Sequence, residues 1–186
     1  MLSITDSLLT VASAKLYHSG VKQHFHFSGS YELEPDHKKE VDSFQVISFG
    51  FTLGLILYGG LVWIIHSSGF VKLFALIWGG LIFSQVAVHL RHFHNLLLIF
   101  YAKRSQGIEG QIKYKRWLSL RISSSDFLGF GLLLLLVYFF SSSLIVLGGA
   151  AACVLIAVRH WLMSLKENSE GEALDSSRER VACMVA

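Results

Sequence analysis

Three histidines and an arginine interrupt an apolar stretch in mid-chain, SQVAVHLRHFHNLLLIFYAKR, residues 84–104. On a helix, His89 and His92 share one face with Gln85, because side chains three and four residues apart lie on the same side of a helix. Ionisable groups inside a membrane segment are costly. This polar face is therefore predicted to point into a helix bundle, a water-filled cleft or the headgroup region.

Other polar residues are predicted to join this face. Arg91 and Asn95 lie on the adjacent stripe of the same helix. In the helix arrangement that the hydropathy predicts, Asp126, Arg159 and His160 lie at about the same depth. The sequence thus predicts a polar cluster at one membrane face, made of Gln85, His89, Arg91, His92, Asn95, Asp126, Arg159 and His160.

Three kinds of chemistry fit such a cluster. It can be a structural girdle, in which Arg91 pairs with Asp126 and the other charges reach the headgroups. It can bind haem b, because His89 or His92 together with His160 would supply two axial imidazoles from facing helices. It can also bind a divalent metal through His89 and His92, which are three residues apart on the helix, together with Asp126. We expect the girdle, which needs no metal and no cofactor.

The composition assigns the protein to the membrane. Of its 186 residues, 53% are hydrophobic and only 16% are charged, and the mean hydropathy is +0.52. These values are too apolar for an ordinary soluble domain. We therefore predict an integral membrane protein.

Hydropathy predicts an all-α, polytopic helix bundle with four transmembrane helices arranged as two hairpins. A spanning helix needs roughly 20 apolar residues, and strands are not expected, because an open sheet cannot satisfy its backbone in lipid. The last two helices share one apolar stretch, which a single kinked helix would also explain. The predicted spans are residues 44–66, 70–102, 127–141 and 143–163.

The loop 103–126 sets the predicted orientation. Within residues 102–125 there are six Lys or Arg against one acidic residue, and such loops face the cytoplasm. Both termini would then be cytoplasmic. The mixture of basic, aromatic and aliphatic residues also suits an amphipathic segment that binds anionic lipid headgroups. The residues assigned to headgroup binding are Lys113, Lys115, Arg116, Trp117 and Arg121.

Two polar segments flank the predicted transmembrane domain 44–163. Residues 1–43 form a cytoplasmic N-terminal segment, in which the spacing of apolar residues suits an amphipathic helix. Pro35 ends any helix in this segment. Residues 164–186 are predicted to be a flexible polar tail.

Glycines predict close helix association. Gly50 and Gly54 are four residues apart and share a face, and small residues let transmembrane helices approach closely. Further small surfaces occur at residues 59–60, 79–80 and 148–152. A homo- or hetero-oligomer within the membrane is therefore expected.

No phosphate-binding loop, nucleophile elbow or nucleic-acid recognition motif is present in the sequence. The sequence favours a non-enzymatic multi-pass membrane protein that acts as a subunit or scaffold of a membrane assembly. A small bis-histidine haem electron carrier is the first alternative, and an oligomeric channel is the second.

Overall fold

The computed structural model describes residues 2–17, 25–27, 49–105 and 112–185, with side chains described up to Ser169 in the last of these ranges. Within these ranges the fold is helical apart from one pair of three-residue strands. In chain order the elements are α1 (Leu2–Leu16), β1 (Phe25–Phe27), α2 (Phe49–Ser67), α3 (Val71–Ser105), β2 (Ile112–Tyr114), α4 (Arg116–Ser141) and α5 (Leu144–Val185).

Three helices are long and apolar enough to cross a membrane: Val71–Tyr101 in α3, all of α4, and Leu144–Ser169 in α5. At ~1.5 Å per residue, each exceeds the ~30 Å of a hydrocarbon core. Helix α2 coincides with the first predicted span, but its apolar part is shorter, Thr52–Ser67. The predicted helical, multi-pass membrane architecture is confirmed for these three helices.

A break between α4 and α5 separates two helices, so the single kinked helix is wrong. Ser142 has φ 51°, in the left-handed region, and its N–H still donates to the carbonyl of Tyr138 at 2.8 Å. A residue in this conformation ends a helix, because the chain can no longer continue the right-handed winding. The predicted turn near Ser141 to Ser143 is therefore correct.

The helix boundaries differ from the predicted ones at two ends. Helix α4 begins at Arg116 rather than near residue 127, so part of the predicted loop belongs to a spanning helix. Helix α5 continues to Val185, through the segment predicted to be a flexible tail. Charged residues are ordinary in a helix that leaves the membrane, so their appearance does not mark its end.

Glycine-lined surfaces join α3 and α5, which run parallel. A Cβ added to Gly148 would meet the carbonyl oxygen of Leu76 and lie 2.9 Å from its Cα. A Cβ added to Gly79 would meet the carbonyl oxygen of Ile145 and lie 2.7 Å from its Cα. Backbones can approach this closely only where both surfaces are small. The predicted small surfaces at residues 79–80 and 148–152 therefore pack against each other.

Helix α4 completes a three-helix core. Gly131 lies against α5, where an added Cβ would be 2.9 Å from Val154 Cγ2. Nearer to the start of α4, a buried apolar cluster joins all three helices: Ala87 of α3, Phe127 of α4, and Cys153 and Ala157 of α5. This core holds the polar residues that lie immediately beyond it.

Two further helices attach to α3. The predicted N-terminal helix is present as α1, and its buried residues Val11, Ala14 and Tyr17 mark the side that packs on α3. Helix α2 connects to α3 through Gly69 at φ 77°, a conformation that glycine adopts without strain. Its contact with α3 is slight and includes the rings of His66 and Phe74, whose centroids are 4.9 Å apart.

The two strands form a parallel pair in which Phe25 aligns with Ile112 and Phe27 with Tyr114. This pair connects the N-terminal region to the segment just before α4. Among the described residues these six are the only ones in strands, and the all-α class predicted from the sequence is confirmed.

Candidate functional site

A buried polar junction joins the three core helices just beyond the apolar cluster. Arg91 of α3 donates to the hydroxyl of Ser123 of α4, and the same hydroxyl is 2.8 Å from Nδ1 of His160 of α5. Because Arg91 already donates to the oxygen, the Ser123 proton is available for the histidine nitrogen. We call these three residues the polar junction.

The polar junction is largely buried and tightly packed. Ser123 is 2% exposed and His160 is 5% exposed. The Arg91 guanidinium lies over the ring of Phe127, with 5.6 Å between Cζ and the ring centroid. The rings of Phe127 and His160 pack edge to face, with their centroids 5.8 Å apart. Buried polar groups require partners, and here each one supplies a partner for another. The arrangement fixes the relative positions of three helices.

The adjacent hydroxyl adds a third hydrogen bond, between α4 and α5. Ser124 donates to the carbonyl of Ala157 at 2.7 Å and is itself buried. Serine can satisfy a backbone carbonyl within a membrane helix or across to a neighbour; here it reaches across. The pair Ser123 and Ser124 thus anchors the first turns of α4 to α5.

The two α3 histidines of the predicted cluster, His89 and His92, contact α1 rather than the polar junction. His89 Nδ1 donates to the Gln85 carbonyl at 2.7 Å, which leaves Nε2 as an acceptor for the Thr5 hydroxyl at 2.7 Å. His92, which is buried, has its Nε2 3.3 Å from the Thr10 hydroxyl. These two threonine–histidine bonds dock α1 on the polar face of α3.

The predicted cluster is therefore divided between two places. His160 and Arg91 belong to the polar junction, whereas His89 and His92 belong to the contact with α1. Asp126 and Arg159 are exposed on the outside of α4 and α5, and Asn95 and Gln85 are partly buried on α3. In the part of the chain that the structure describes, Asp126 forms no ion pair with Arg91, whose guanidinium is turned to Ser123.

Haem or metal binding would require the histidines to exchange these contacts. A haem iron would have to replace the threonine hydroxyl at Nε2 of His89 or His92, and the described partner of His160 lies on α4 rather than α3. Among the described residues, no three His, Cys, Asp or Glu side chains are grouped so that they could hold a metal ion. The contacts thus give the histidines structural partners.

A basic and aromatic cluster lies at the start of α4. The guanidinium of Arg121 lies over two indole rings, 4.7 Å from Trp161 and 5.5 Å from Trp117. Arg116 forms an ion pair of 3.1 Å with Glu167 of α5. Of the other residues predicted to bind headgroups, Lys115 is exposed, and the side chain of Lys113, in β2, lies outside the described residues.

Three open glycines lie on α2. Gly54 has no atom within 4 Å of an added Cβ, and the same holds for Gly59 and Gly60. Gly50 belongs to α2, but its surroundings lie outside the described residues. No described residue therefore lies within 4 Å of a Cβ placed on the predicted packing face at Gly54.

Three contributors to the site carry no chemical motif. Ser123 lies in the run Ser123 to Ser125, which resembles an ordinary loop sequence, and Thr5 and Thr10 belong to the amphipathic helix predicted for the N-terminal segment. A hydroxyl beside a predicted helix start is the one signal that marks Ser123, because serine is favoured near helix N-termini. Nothing in the spacing of the threonines points to α3.

No protein-family model, curated protein or solved structure matches this chain. Its function is therefore inferred from the contacts described above.

Proposed function

We propose that this protein is a non-enzymatic subunit or scaffold of a membrane assembly, with α2 as the helix that contacts partner proteins. The observation that carries the proposal is the open face of α2. Gly54, Gly59 and Gly60 have no described atom within 4 Å of an added Cβ, whereas Gly79, Gly131 and Gly148 in the core all lie against another helix. Among the described glycines, one set is thus packed between helices of this chain, and the set on α2 is available to a partner.

The apolar side chains of α2 support this role. Trp63, Ile56 and Leu57 are 71%, 65% and 65% exposed. In a bilayer such residues can face lipid, so their exposure alone does not require a partner. Glycine is different, because it offers lipid almost no surface and gains most when a second backbone approaches it. Gly54 is accordingly the centre of the proposed contact.

In the proposed topology α2 crosses the membrane together with α3, α4 and α5. These four helices form two hairpins, and both termini are cytoplasmic. The basic and aromatic residues Arg116, Trp117 and Arg121 then lie at the inner leaflet. Aromatic residues are typical of the headgroup level, and each basic residue near an anionic leaflet contributes ~1 kcal/mol. The cluster would anchor the start of α4 to anionic lipids.

The test compares two glycines of the same helix. Gly54 and Gly60 are both open, but six positions at 100° each place them on different faces of α2. The full chain, its Gly54→Leu variant and its Gly60→Leu variant are expressed in native membranes, extracted in a mild detergent and separated by native electrophoresis. We expect the wild type and Gly60→Leu to migrate in a larger assembly, and Gly54→Leu to migrate with the single chain.

Two results would contradict the proposal. A wild-type chain that migrates alone after mild extraction excludes a stable subunit. An assembly that survives Gly54→Leu excludes this face of α2 as the contact. Measuring the bound lipid in the same fractions tests the anchor, because Arg121→Gln should lower the content of anionic lipid without changing the assembly.

Haem binding and channel formation are distinguished by separate measurements. A Soret band in the purified protein, with sharper α and β bands after reduction, would establish the electron carrier, and its loss in His160→Ala would identify a ligand. Ion flux through vesicles containing the purified chain alone would establish a homo-oligomeric channel. The subunit proposal expects neither signal.

A further inference from the structure

An exposed seam runs along the outer side of α4. Six residues recur at alternating steps of four and three, and all six are exposed: Ile122, Asp126, Gly129, Leu133, Leu136 and Phe140. This spacing keeps a stripe on one side of a helix and is the pattern with which helices pack in pairs. We call this stripe the α4 seam.

Asp126 is the unusual member of the α4 seam. It lies five residues beyond Arg121, which is ~7.5 Å farther along the helix, and Arg121 lies between the indoles of Trp117 and Trp161 that are typical of the headgroup level. The short aspartate side chain cannot extend back over that distance, as lysine and arginine do. With the two indoles at the headgroup level, its outward-facing carboxyl group would lie within the apolar part of the span.

A carboxylate in this position is costly unless a partner neutralises it. In the part of the chain that the structure describes, no cation pairs with Asp126. The next seam residue is Gly129, and a Cβ added there would have no atom within 4 Å. A second helix could therefore approach the backbone beside the carboxylate.

We propose that the α4 seam binds a transmembrane helix of another protein, and that a lysine or arginine of that helix pairs with Asp126. The charge selects this occupant. A second copy of this chain that used the same seam about a twofold axis would place Asp126 against Asp126, and like charges in a low dielectric repel strongly. A helix without a cation would leave the carboxylate unpaired.

This inference rests on the proposed role as a subunit, and it assigns the subunit a second contact with defined chemistry. The surface differs from the proposed α2 contact in both helix and chemistry. The two contacts can therefore fail independently.

The test uses peptides in place of the unidentified partner. The full chain, carrying a donor fluorophore, is reconstituted in phosphatidylcholine vesicles with acceptor-labelled leucine-rich transmembrane peptides. One peptide has a single arginine two turns from its end, which matches the depth of Asp126, and the control peptide has leucine there. Energy transfer measures association. We expect the arginine peptide to bind about tenfold more tightly, in line with polar contacts between membrane helices.

Variants of the chain locate the contact. Asp126→Asn should bind both peptides equally, and Asp126→Glu should retain the preference. Gly129→Leu should weaken the arginine peptide by preventing close approach. Leu128→Ala changes an exposed residue outside the seam and should leave the preference unchanged. Because the two peptides are compared on the wild-type chain, the measured preference does not require any variant to fold.

Equal binding of the two peptides by the wild type would overturn the proposal, and so would a preference that persists in Asp126→Asn. Self-association of the wild type that Asp126→Asn abolishes would assign the seam to a second copy and overturn it as well. If the native assembly depends on Gly54 but no peptide preference is found, the α4 seam alone is wrong. If the preference is found but the native chain migrates alone, the subunit role is wrong.

Discussion

The core formed by α3, α4 and α5 and the outer helix α2 use glycine in opposite ways. At Gly148 an added Cβ would meet the backbone of Leu76, and at Gly54 it would meet nothing. Both residues lie in apolar segments of their helices. The difference shows that a glycine in a membrane helix permits a close contact but does not create one.

The facing helix supplies the rest of the contact. Gly148 lies near a second small residue, because a Cβ added to Gly80 would be 3.3 Å from the carbonyl oxygen of Gly148. Helix α3 also contributes Arg91 to the polar junction, which fixes its position. Among the described residues, helix α2 has neither a facing glycine surface nor a residue in the polar junction. We therefore expect stability to respond most to changes in the core and least to changes in α2.

The largest expected effect is that of Gly148→Ala. The added methyl group meets backbone atoms of Leu76, which cannot turn aside as a flexible side chain can. Separating α3 from α5 to make room should lower the free energy of unfolding by about 3 kcal/mol. Steric trapping of the purified chain in bicelles measures this value. An unchanged free energy would show that the two helices are not in backbone contact.

Removing the Ser123 hydroxyl should produce the next largest effect. Ser123→Ala deprives both Arg91 and His160 of a buried hydrogen-bond partner, and losing such a partner costs about 2 kcal/mol. Ser125 provides the matched control, because it is exposed on the same helix. Ser125→Ala should leave the unfolding free energy within about 0.5 kcal/mol of wild type. Similar values for the two variants would mean that the polar junction does not hold the core.

Helix α1 should show an intermediate response. Thr10→Val keeps the shape but removes the hydroxyl that contacts His92, which should weaken the docking of α1 by about 1 kcal/mol. Hydrogen exchange of the α1 amides measures this local opening. Thr10→Ser restores a hydroxyl and should recover most of the protection. Faster exchange in Thr10→Ser as well would indicate that packing, rather than the hydrogen bond, attaches α1.

Much of the fold is predictable from the sequence. Apolar length locates the three spanning helices, because a bilayer imposes a minimum on it. The Ser141 to Ser143 turn is recognised for a similar reason, since the apolar stretch around it is too long for one crossing. The start of α4 at Arg116 cannot be recognised in this way, because basic residues are equally compatible with a loop and with the end of a helix.

The site is less predictable than the fold. Depth along the helices correctly places Arg91 and His160 at one level, but it does not say which way each side chain points. His89 and His92 are only a few positions from Arg91, yet they face α1. The docking of α1 depends on contacts more than eighty residues apart in sequence, and hydropathy contains no information about such pairs.

The smallest expected effect, and the sharpest check of the comparison, is that of Gly54→Ala. The methyl group enters open space, and alanine is the better helix former by as much as ~1 kcal/mol. The isolated chain should therefore be unchanged or slightly stabilised, which is opposite in sign to the effect of Gly148→Ala. Both variants can be measured by steric trapping under the same conditions. A loss of stability in Gly54→Ala would mean that α2 packs on the core after all, and the open face would then not be available to a partner.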